Sequence, residues 1–349
     1  MIQNLMEKLD KVFIIAEAGS NWKSGTYDDD LQQAKDLIKI ASQSGADAVK
    51  FQTFRSELTY ATNSGQNTSL SKQGITKSVN EIFDNLSMPY EMIPELANFC
   101  KQNNIQFMST PFSIKDAKEI DPFVQIHKLA SFEINHVRLL EYLISTKKPI
   151  LLSTGASTIS DIDYSVNLLK SNHADFALLQ CTSCYPSPLT SLNLNSIPFL
   201  DKKYGVPIGF SDHSTDPVIA PIVAVSLGSK IIEKHFTINK NLEGPDHNYA
   251  LEPDELKRMI QAIRKTEISL GEKNKEILPV EVELAQFANR SLQVTKNVKR
   301  GEIFQEGINF DILRPGNRIR GLSPINIDKI NGKKAVKDIS IGDGILEYE

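Results

Sequence analysis

What most constrains this chain is an alternation. Eight short, almost continuously apolar runs, at 12–16, 46–49, 105–108, 124–129, 149–152, 176–179, 206–210 and 229–232, are separated by segments of helical periodicity. Near-continuous hydrophobicity is what a strand buried on both faces requires, and parallel strands need a crossover between them. The first crossover is the clearest. Asp28, Asp29 and Asp30 offer an N-cap, Leu31, Ala34, Leu37, Ile38 and Ala41 form one apolar face, and Gly45 closes the helix. The stretches 89–101 and 161–170 repeat that pattern, 217–227 reads as a buried helix, and Pro253-Asp254 opens a last one. Eight such repeats predict an α/β chain built as a (β/α)₈ TIM barrel. A doubly wound open sheet is the alternative, but no G-x-G-x-x-G follows the first run.

At 349 residues the chain exceeds one ordinary domain and fits a barrel with a small domain beside it. After about residue 273 the texture changes. The segment 281–289 reads as a connecting helix, and short β-like runs at 292–295, 335–339 and 345–348 follow among turn signals such as Arg314-Pro315-Gly316-Asn317. The expected division is 1–280 for the barrel, 281–290 for a linker and 291–349 for a small β-rich domain. Within the barrel, the polar stretch 53–87 is too long for an ordinary connection, which marks a functional or partly mobile loop.

Charge and composition exclude several classes. A formal net charge of −4 gives no electrostatic footprint for nucleic acid. No apolar run reaches membrane-spanning length, so no membrane partner is expected. The start, MIQNLMEKLDKVF, lacks a signal-peptide core, which points to a cytoplasmic setting. From residue 290 onward, 11 Lys and Arg face 8 Asp and Glu, so the tail is relatively basic; a solvated face and a lid over an anion both fit. Three cysteines give no disulfide framework. The Cys181-Thr-Ser-Cys184 pair has no further ligands at zinc spacing and opens no helix, so its thiols read as structural.

Active sites of such barrels lie at the C-terminal strand ends. There the sequence places Glu17 and Asn21; Lys50 and Gln52; Ser109 and Thr110; Lys128 and Ser131; Thr154; Thr182, Ser183 and Tyr185; Ser211, Asp212 and His213; and Glu233 and His235. A single strand-end histidine reads as a hydrogen-bonded structural residue. Two in register on consecutive strands, with carboxylates nearby, point to a divalent metal or a catalytic site. Lone serines and threonines there can simply cap the next helix. Lys50 and Lys128 each follow an apolar run, where an ammonium needs an anionic partner: a structural glutamate or a bound anion.

These residues also carry a resemblance. IIAEAGSNW, ADAVKFQT, MSTPFS, HKLAS, STGAS, CTSCYPSP, GFSDHS, EKHFT, GPDH and LRPGNRIRG, in this order from about Val12 to the end, resemble the N-acetylneuraminate (sialic acid) synthase family. The resemblance implies a (β/α)₈ barrel followed by an antifreeze-like (SAF, β-clip) domain. It implies a homodimer in which each small domain covers the partner's barrel. It also implies condensation of phosphoenolpyruvate with an N-acetylated hexosamine and water, giving a nonulosonic acid and phosphate, with Mn²⁺ or Mg²⁺. Carried over motif by motif, His213 and His235 are the implied metal ligands. Lys50, Thr110, Lys128, Ser131, Ser183 and Ser211 are implied to hold phosphoenolpyruvate. Glu17, Gln52, Tyr185 and Asp246 are implied to contact the amino sugar, with Glu17 serving in positioning or proton transfer, and Arg314 to reach the sugar from the partner subunit.

The sugar-facing set is mixed. Ser183 stands where neuraminate synthases usually have Asn, and Ala130-Ser131-Phe132-Glu133 is closer to the pseudaminic acid synthase branch. Gly244-Pro245-Asp246-His247 is similar to the neuraminate and legionaminate branches, while Asn248-Tyr249-Ala250 replaces the more usual Lys-Ala-Ser. The expected acceptor is therefore N-acetylmannosamine or a 2,4-diacetamido analogue, with pseudaminic or legionaminic acid synthesis as the alternative. Outside this class stand another phosphoenolpyruvate- or metal-dependent aldolase on the same fold, and a non-catalytic carbohydrate-binding protein.

Overall fold

The eight apolar runs become eight parallel strands; seven reach further toward their polar ends, and the fourth keeps only the last three residues of its run. The computed structural model describes residues 11–66 and 77–349. The first ten residues, and 67–76 of the expected long loop, lie outside the described residues. The strands are β1 (Phe13–Gly19), β2 (Ala48–Thr53), β3 (Gln106–Pro111), β4 (His127–Leu129), β5 (Ile150–Ser153), β6 (Phe176–Cys181), β7 (Ile208–Asp212) and β8 (Ile231–His235). Their order is β3-β2-β1-β8-β7-β6-β5-β4, with the end strands β3 and β4 side by side. The result is a nearly closed TIM-like barrel. The sequence runs stop too early on β1, β2, β3, β5, β6, β7 and β8. Glu17, Lys50, Gln52, Thr110, Ser153, Ser211, Glu233 and His235 all sit on strands, because barrel pairing satisfies their backbone whatever the side chain.

The first-unit helices are α1 (Tyr27–Ser44), α2 (Ser56–Thr59), α3 (Val79–Leu86), α4 (Met92–Gln102), α5 (Ile114–Ile120), α6 (Val137–Ser145), α7 (Ile159–Ser171), α8 (Ser196–Tyr204), α9 (Ile219–Ser226) and α10 (Pro253–Leu270). The cap of α1 is Thr26 rather than Asp28: Thr26 and Asp29 form a capping box, and Gly45 closes the helix at φ 90°. Such a cap contributes about 1 kcal/mol. The expected loop 53–87 contains α2 and α3, the latter anchored through Ile82 and Leu86 on Phe54.

Period-two alternation divides the strands into two faces. Phe13, Ile15, Ala48, Met108, Ile126, Leu151, Ala177, Leu179 and Ile231 form an inner cluster. Their neighbours, such as Ile14, Val49, Phe107, Leu152, Leu178 and Ile232, join the helices in a larger outer core. Counting on by two from the inner set reaches Glu17, Lys50, Thr110, Lys128, Ser153, Cys181 and Glu233. The barrel is thus filled with hydrocarbon below and polar groups above.

The chain divides into two compact units, Met1–Gly271 and Glu272–Glu349, so 281–290 clusters with the second unit. That unit contains α11 (Val282–Ala288), an antiparallel pair β9 (Ser291–Val294) and β10 (Phe310–Leu313), and α12 (Ile327–Ile330). Its core is Leu292, Val294, Val298, Phe304, Phe310, Ile330, Ala335, Ile339 and Ile345. The runs 335–339 and 345–348 contribute to it without forming strands; isolated bridges such as Val298–Ile339 and Gln293–Gly344 hold them. Turns interrupt any longer ladder, and the Gln293 side chain takes over, donating to the carbonyls of Ile319 and Gly342 and accepting from the Gly321 amide. Gly321 is required there, since a Cβ would lie 2.0 Å from the Leu292 carbonyl oxygen. Among the described residues no helix is long and apolar enough to cross a membrane.

Candidate active site

Strand register assembles the mouth of the barrel. Glu17 on β1 is directly opposite Lys50 on β2 and His235 on β8, while Ser211 on β7 is opposite Glu233 on β8. Residues more than two hundred positions apart therefore become neighbours.

At one end four charges are buried together, each at most 5% exposed. Lys50 Nζ lies 2.6 Å from Glu17 Oε2 and 3.8 Å from Glu233 Oε2, and donates to Thr110 Oγ1 at 2.9 Å. Lys128 Nζ lies 3.8 Å from Glu233 Oε1 and donates to Ser153 Oγ at 2.7 Å. Ser211 donates to Glu233 Oε1, and Gln52 to Glu17 Oε1, both at 2.9 Å. Each lysine thus has the glutamate partner that a structural reading of it expects, and each faces the mouth.

The two carboxylates diverge. Burial pushes Glu17 up to about 7, with Lys50 opposing and Glu233 adding to the rise. Burial also acts to raise Glu233, but Lys128 and Lys50 together pull it down to about 2. Lys50 is held above the ordinary lysine value: burial works against its charge, and Glu17 and Glu233 outweigh it. Lys128 falls below that value because burial dominates and Lys50 repels it. The cluster is a charge-compensated cradle in which Glu17 is carried up to about 7 while Glu233 is held at about 2.

Beside the cradle, the Gly155 amide donates to Ser131 Oγ at 3.0 Å. A Cβ on Gly155 would come 2.4 Å from Ser183 Oγ, 2.9 Å from Ser131 Oγ and 3.0 Å from Cys181 Sγ. The absent side chain leaves two hydroxyls and a thiol converging on one point, which suits an anion's oxygens.

The other end is aromatic. The His213 and His235 rings are 5.5 Å apart, and Tyr185 stands 4.2 Å from His213 while Tyr249 stands 5.2 Å from His235. His213 Nδ1 is 2.9 Å from the Thr182 carbonyl oxygen, an atom that only accepts, so Nδ1 carries a proton and Nε2 is the nitrogen that a metal would use; burial opposes the ring's charge, but Cys181 and that carbonyl hold it above the ordinary histidine value. His235 is pushed down to about 3, by burial first and by His213 and Lys50 next, and is neutral; its Nδ1 is buried without a hydrogen-bond partner. Asp246 accepts from Ser20 Oγ at 2.9 Å and from the Tyr249 hydroxyl at 2.8 Å. Burial acts to raise Asp246, but His235, Tyr249 and Ser20 hold it below the ordinary carboxylate value.

A neutral His235 with an orphaned buried nitrogen, beside a His213 that Cys181 and the Thr182 carbonyl hold above the ordinary histidine value against burial, fits a divalent ion once His213 gives up its proton. Among the described residues no cluster of three or more His, Cys, Asp and Glu side chains has metal-holding geometry. The protein would supply two ligands and leave open positions for substrate or water.

Of the expected residues, Glu17, Lys50, Gln52, Thr110, Lys128 and Ser211 interlock in the cradle. Ser131 and Ser183 flank Gly155, and Tyr185, His213, His235 and Asp246 form the aromatic end. Arg314 lies in the second unit, exposed just past β10. Other rim candidates turn outward: Asp212 pairs with Lys234 at 2.7 Å, Ser109 with Thr53 at 2.8 Å, and Thr154 donates to the Leu179 carbonyl. Glu233 proves central, although the family motifs assign it no role. Ser153, Gly155, Ser20 and Tyr249 were not foreseen, though counting by two from Leu151 finds Ser153. Cys181, expected as a structural thiol, lies at the site, 3.8 Å from His213 Nδ1.

A parallel barrel with a charge-compensated polar mouth at its C-terminal strand ends has the layout of (β/α)₈ enzymes. Comparison with known proteins narrows the class. The NeuB family model matches residues 37–275 and the SAF domain model residues 289–347. A pseudaminic acid synthase of Campylobacter jejuni is 35% identical, covering 97% of this chain and 96% of its own length. An N,N'-diacetyllegionaminic acid synthase of the same species is also 35% identical, covering 94% and 97%. The crystal structure of the spore coat polysaccharide biosynthesis protein SpsE from Bacillus subtilis is 37% identical, covers 96% of this chain and 94% of that one, and superposes with a TM-score of 0.64. The chain belongs to the NeuB family and ends in a SAF domain.

Proposed function

We propose that this protein is a nonulosonic acid synthase, condensing phosphoenolpyruvate with an N-acetylated hexosamine and water and releasing phosphate. The observation that carries this reading is the pairing of Glu17 with Lys50 and His235 on adjacent strands. It sets a charge-compensated cradle of two lysines and two glutamates beside two imidazoles. Relatives over nearly the whole chain bear the names of pseudaminic and diacetyllegionaminic acid synthases. A 2,4-diacetamido acceptor is thus at least as well supported as N-acetylmannosamine.

Lys50 and Lys128 hold the carboxylate and phosphate of phosphoenolpyruvate, with Thr110, Ser131, Ser183 and Ser211 donating to its oxygens. These donors are fixed before substrate arrives, so little reorganisation opposes charge accumulation as phosphate leaves. His213 and His235 would hold Mn²⁺ or Mg²⁺, which would supply Lewis acidity at the acceptor's carbonyl. Asp246, Gln52 and Tyr185 orient the open-chain sugar so that its carbonyl carbon faces C3 of phosphoenolpyruvate. The new C–C bond leaves a cationic C2, water adds there, and C–O cleavage expels phosphate. Glu17, titrating near 7, is positioned to hold or release the proton that water gives up. In a homodimer the exposed Arg314 serves the partner's acceptor site, and the cytoplasm is where this chemistry would run.

The test is phosphate release from phosphoenolpyruvate with Mn²⁺, offering N-acetylmannosamine and 2,4-diacetamido hexoses in parallel, with His213→Ala as control. Release that depends on both sugar and His213 is expected. Absence of release with every sugar, in folded metal-loaded protein, would remove the assignment.

A further inference from the structure

Lys234 and Asp212 form a buried ion pair that faces away from the cradle. They are opposite each other where β7 pairs with β8, one residue beyond Ser211 and Glu233, so alternation turns them to the outer face. Their side chains are at most 1% exposed, and Lys234 Nζ lies 2.7 Å from Asp212 Oδ2. The same ammonium donates to Ser214 Oγ at 3.1 Å, to the Ser214 carbonyl, and to the Asp216 carbonyl at 3.3 Å. Asp212 Oδ1 accepts from the Ser214 amide at 2.8 Å, and Asp216 Oδ1 accepts from the amides of Val218 and Ile219 at the start of α9. The loop after β7 is therefore gathered around one side chain of β8.

Stability alone does not account for this arrangement. A buried ion pair is costly to desolvate, and apolar residues of similar volume often serve as well. Its neighbours in the chain are what single it out. Asp212 and Ser214 flank His213, and Lys234 immediately precedes His235. One ammonium thus binds the residues on either side of one imidazole, while its own backbone carries the other. The two rings stand 5.5 Å apart. His213 is also held through Nδ1 on the Thr182 carbonyl and through its own carbonyl on the Ser187 amide. Those contacts tie His213 to the segment after β6; Lys234 ties it to β8.

We propose that Lys234 is a positioning residue for the metal-holding pair, fixing the separation and mutual facing of His213 and His235 by gripping Asp212 and Ser214. The inference rests on the metal reading given above. Lys234 touches neither the ion nor a substrate and acts through the loop it holds. A site with two protein ligands depends on their being set before the ion arrives, because the other positions go to water or substrate. Residues that orient ligands from behind are worth about 10–100-fold in metal affinity. Released from Lys234, the segment 213–216 loses its fixed distance to β8, and ordering it again opposes binding.

The probe is Mn²⁺ alone, its binding to the full chain followed by loss of the free ion's paramagnetic resonance signal. Lys234→Met strands a buried carboxylate and should lower the urea midpoint. Combining it with Asp212→Leu should recover most of that loss, since an apolar pair can replace an ion pair. Mn²⁺ affinity should not recover. Both proteins should bind the ion about 10–100-fold more weakly than wild type, while calorimetry shows unchanged binding of phosphoenolpyruvate to the metal-free protein. Asp212→Asn keeps the shape of the pair and should weaken Mn²⁺ binding about 3–10-fold; it decides the matter if the double variant does not fold. A folded double variant with wild-type Mn²⁺ affinity, or in its absence an Asp212→Asn protein with that affinity, overturns the positioning role. Parallel loss of phosphoenolpyruvate binding also overturns it and makes the pair a strut for the whole mouth. Mn²⁺ binding that is absent from the wild type, or that survives both His213→Ala and His235→Ala, overturns the metal reading instead, and the role of Lys234 falls with it.

Discussion

The two ends of the barrel mouth solve opposite problems. At the lysine end, Glu17, Lys50, Lys128 and Glu233 satisfy one another through ion pairs at 2.6 to 3.8 Å. At the histidine end, His235 keeps an orphaned nitrogen and a neutral ring. The first end compensates its charges within the fold, although Glu17 Oε2 and Glu233 Oε2 still accept no hydrogen bond, and the second leaves a neutral ring nitrogen open to a ligand. Buried charge has to be compensated within the fold, whereas a neutral imidazole can wait for a metal at modest cost.

Removing one charge should break the comparison most severely. Lys50→Met leaves Glu17 without its 2.6 Å partner and strips a cation from the anion's seat. Phosphate release should fall by about 10³-fold or more, and stability by about 3–5 kcal/mol, the cost of breaking a buried ion pair. Steady-state kinetics and urea unfolding measure the two. At the other end, His235→Ala should lose metal-dependent turnover by a similar factor while phosphoenolpyruvate still binds. Calorimetry with phosphoenolpyruvate alone separates the ends: equal loss of that binding in both variants would mean the two regions are one.

pH should sharpen the contrast between the carboxylates. Glu17 has a folded pKa of about 7, above the ordinary carboxylate value of 4.5, so its stabilising contribution is complete below 4.5 and is lost as pH rises through 7. Glu233, at about 2, contributes above 4.5 and loses that contribution as pH falls toward 2. Each effect is on the order of 3 kcal/mol. Glu17→Gln should flatten the neutral limb of the stability profile and abolish an inflection near pH 7 in kcat/KM; an unchanged inflection would assign it to another group.

Smaller changes test the hydroxyls. Gly155→Ala forces a methyl between Ser131 and Ser183 and should raise the KM for phosphoenolpyruvate about 10-fold or more, consistent with overpacking costs of 1–3 kcal/mol, with little effect on the sugar's KM. Tyr249→Phe removes the 2.8 Å hydrogen bond to Asp246 and should raise the sugar's KM only about 3–10-fold. If the two substitutions shift both substrates alike, the mouth has no separate anion and sugar ends.

Much of this site was legible in the residues. The motifs located both lysines, both histidines and the hydroxyls, and the alternation of apolar runs with helical stretches predicted the barrel. Chain-order reading failed wherever orientation mattered. Thr154 and Asp212 had the right chemistry and the wrong face, while Ser153 was passed over. In the second unit the hydrophobic positions were found but their pairing was not, because β10 lies in a segment with no strong β-like run and Gln293 replaces ladder bonds with side-chain ones.

The sequence by itself determined the number and order of layers, since hydrophobic periodicity, caps and glycine stops act over a few residues. It also determined that polar chemistry would collect at the strand ends. Only the tertiary structure decided which polar groups face inward and which carboxylate meets which lysine. Those outcomes depend on strand register, a relation between residues as distant as Glu17 and His235, and on the burial that drives Glu17 and Glu233 in opposite directions.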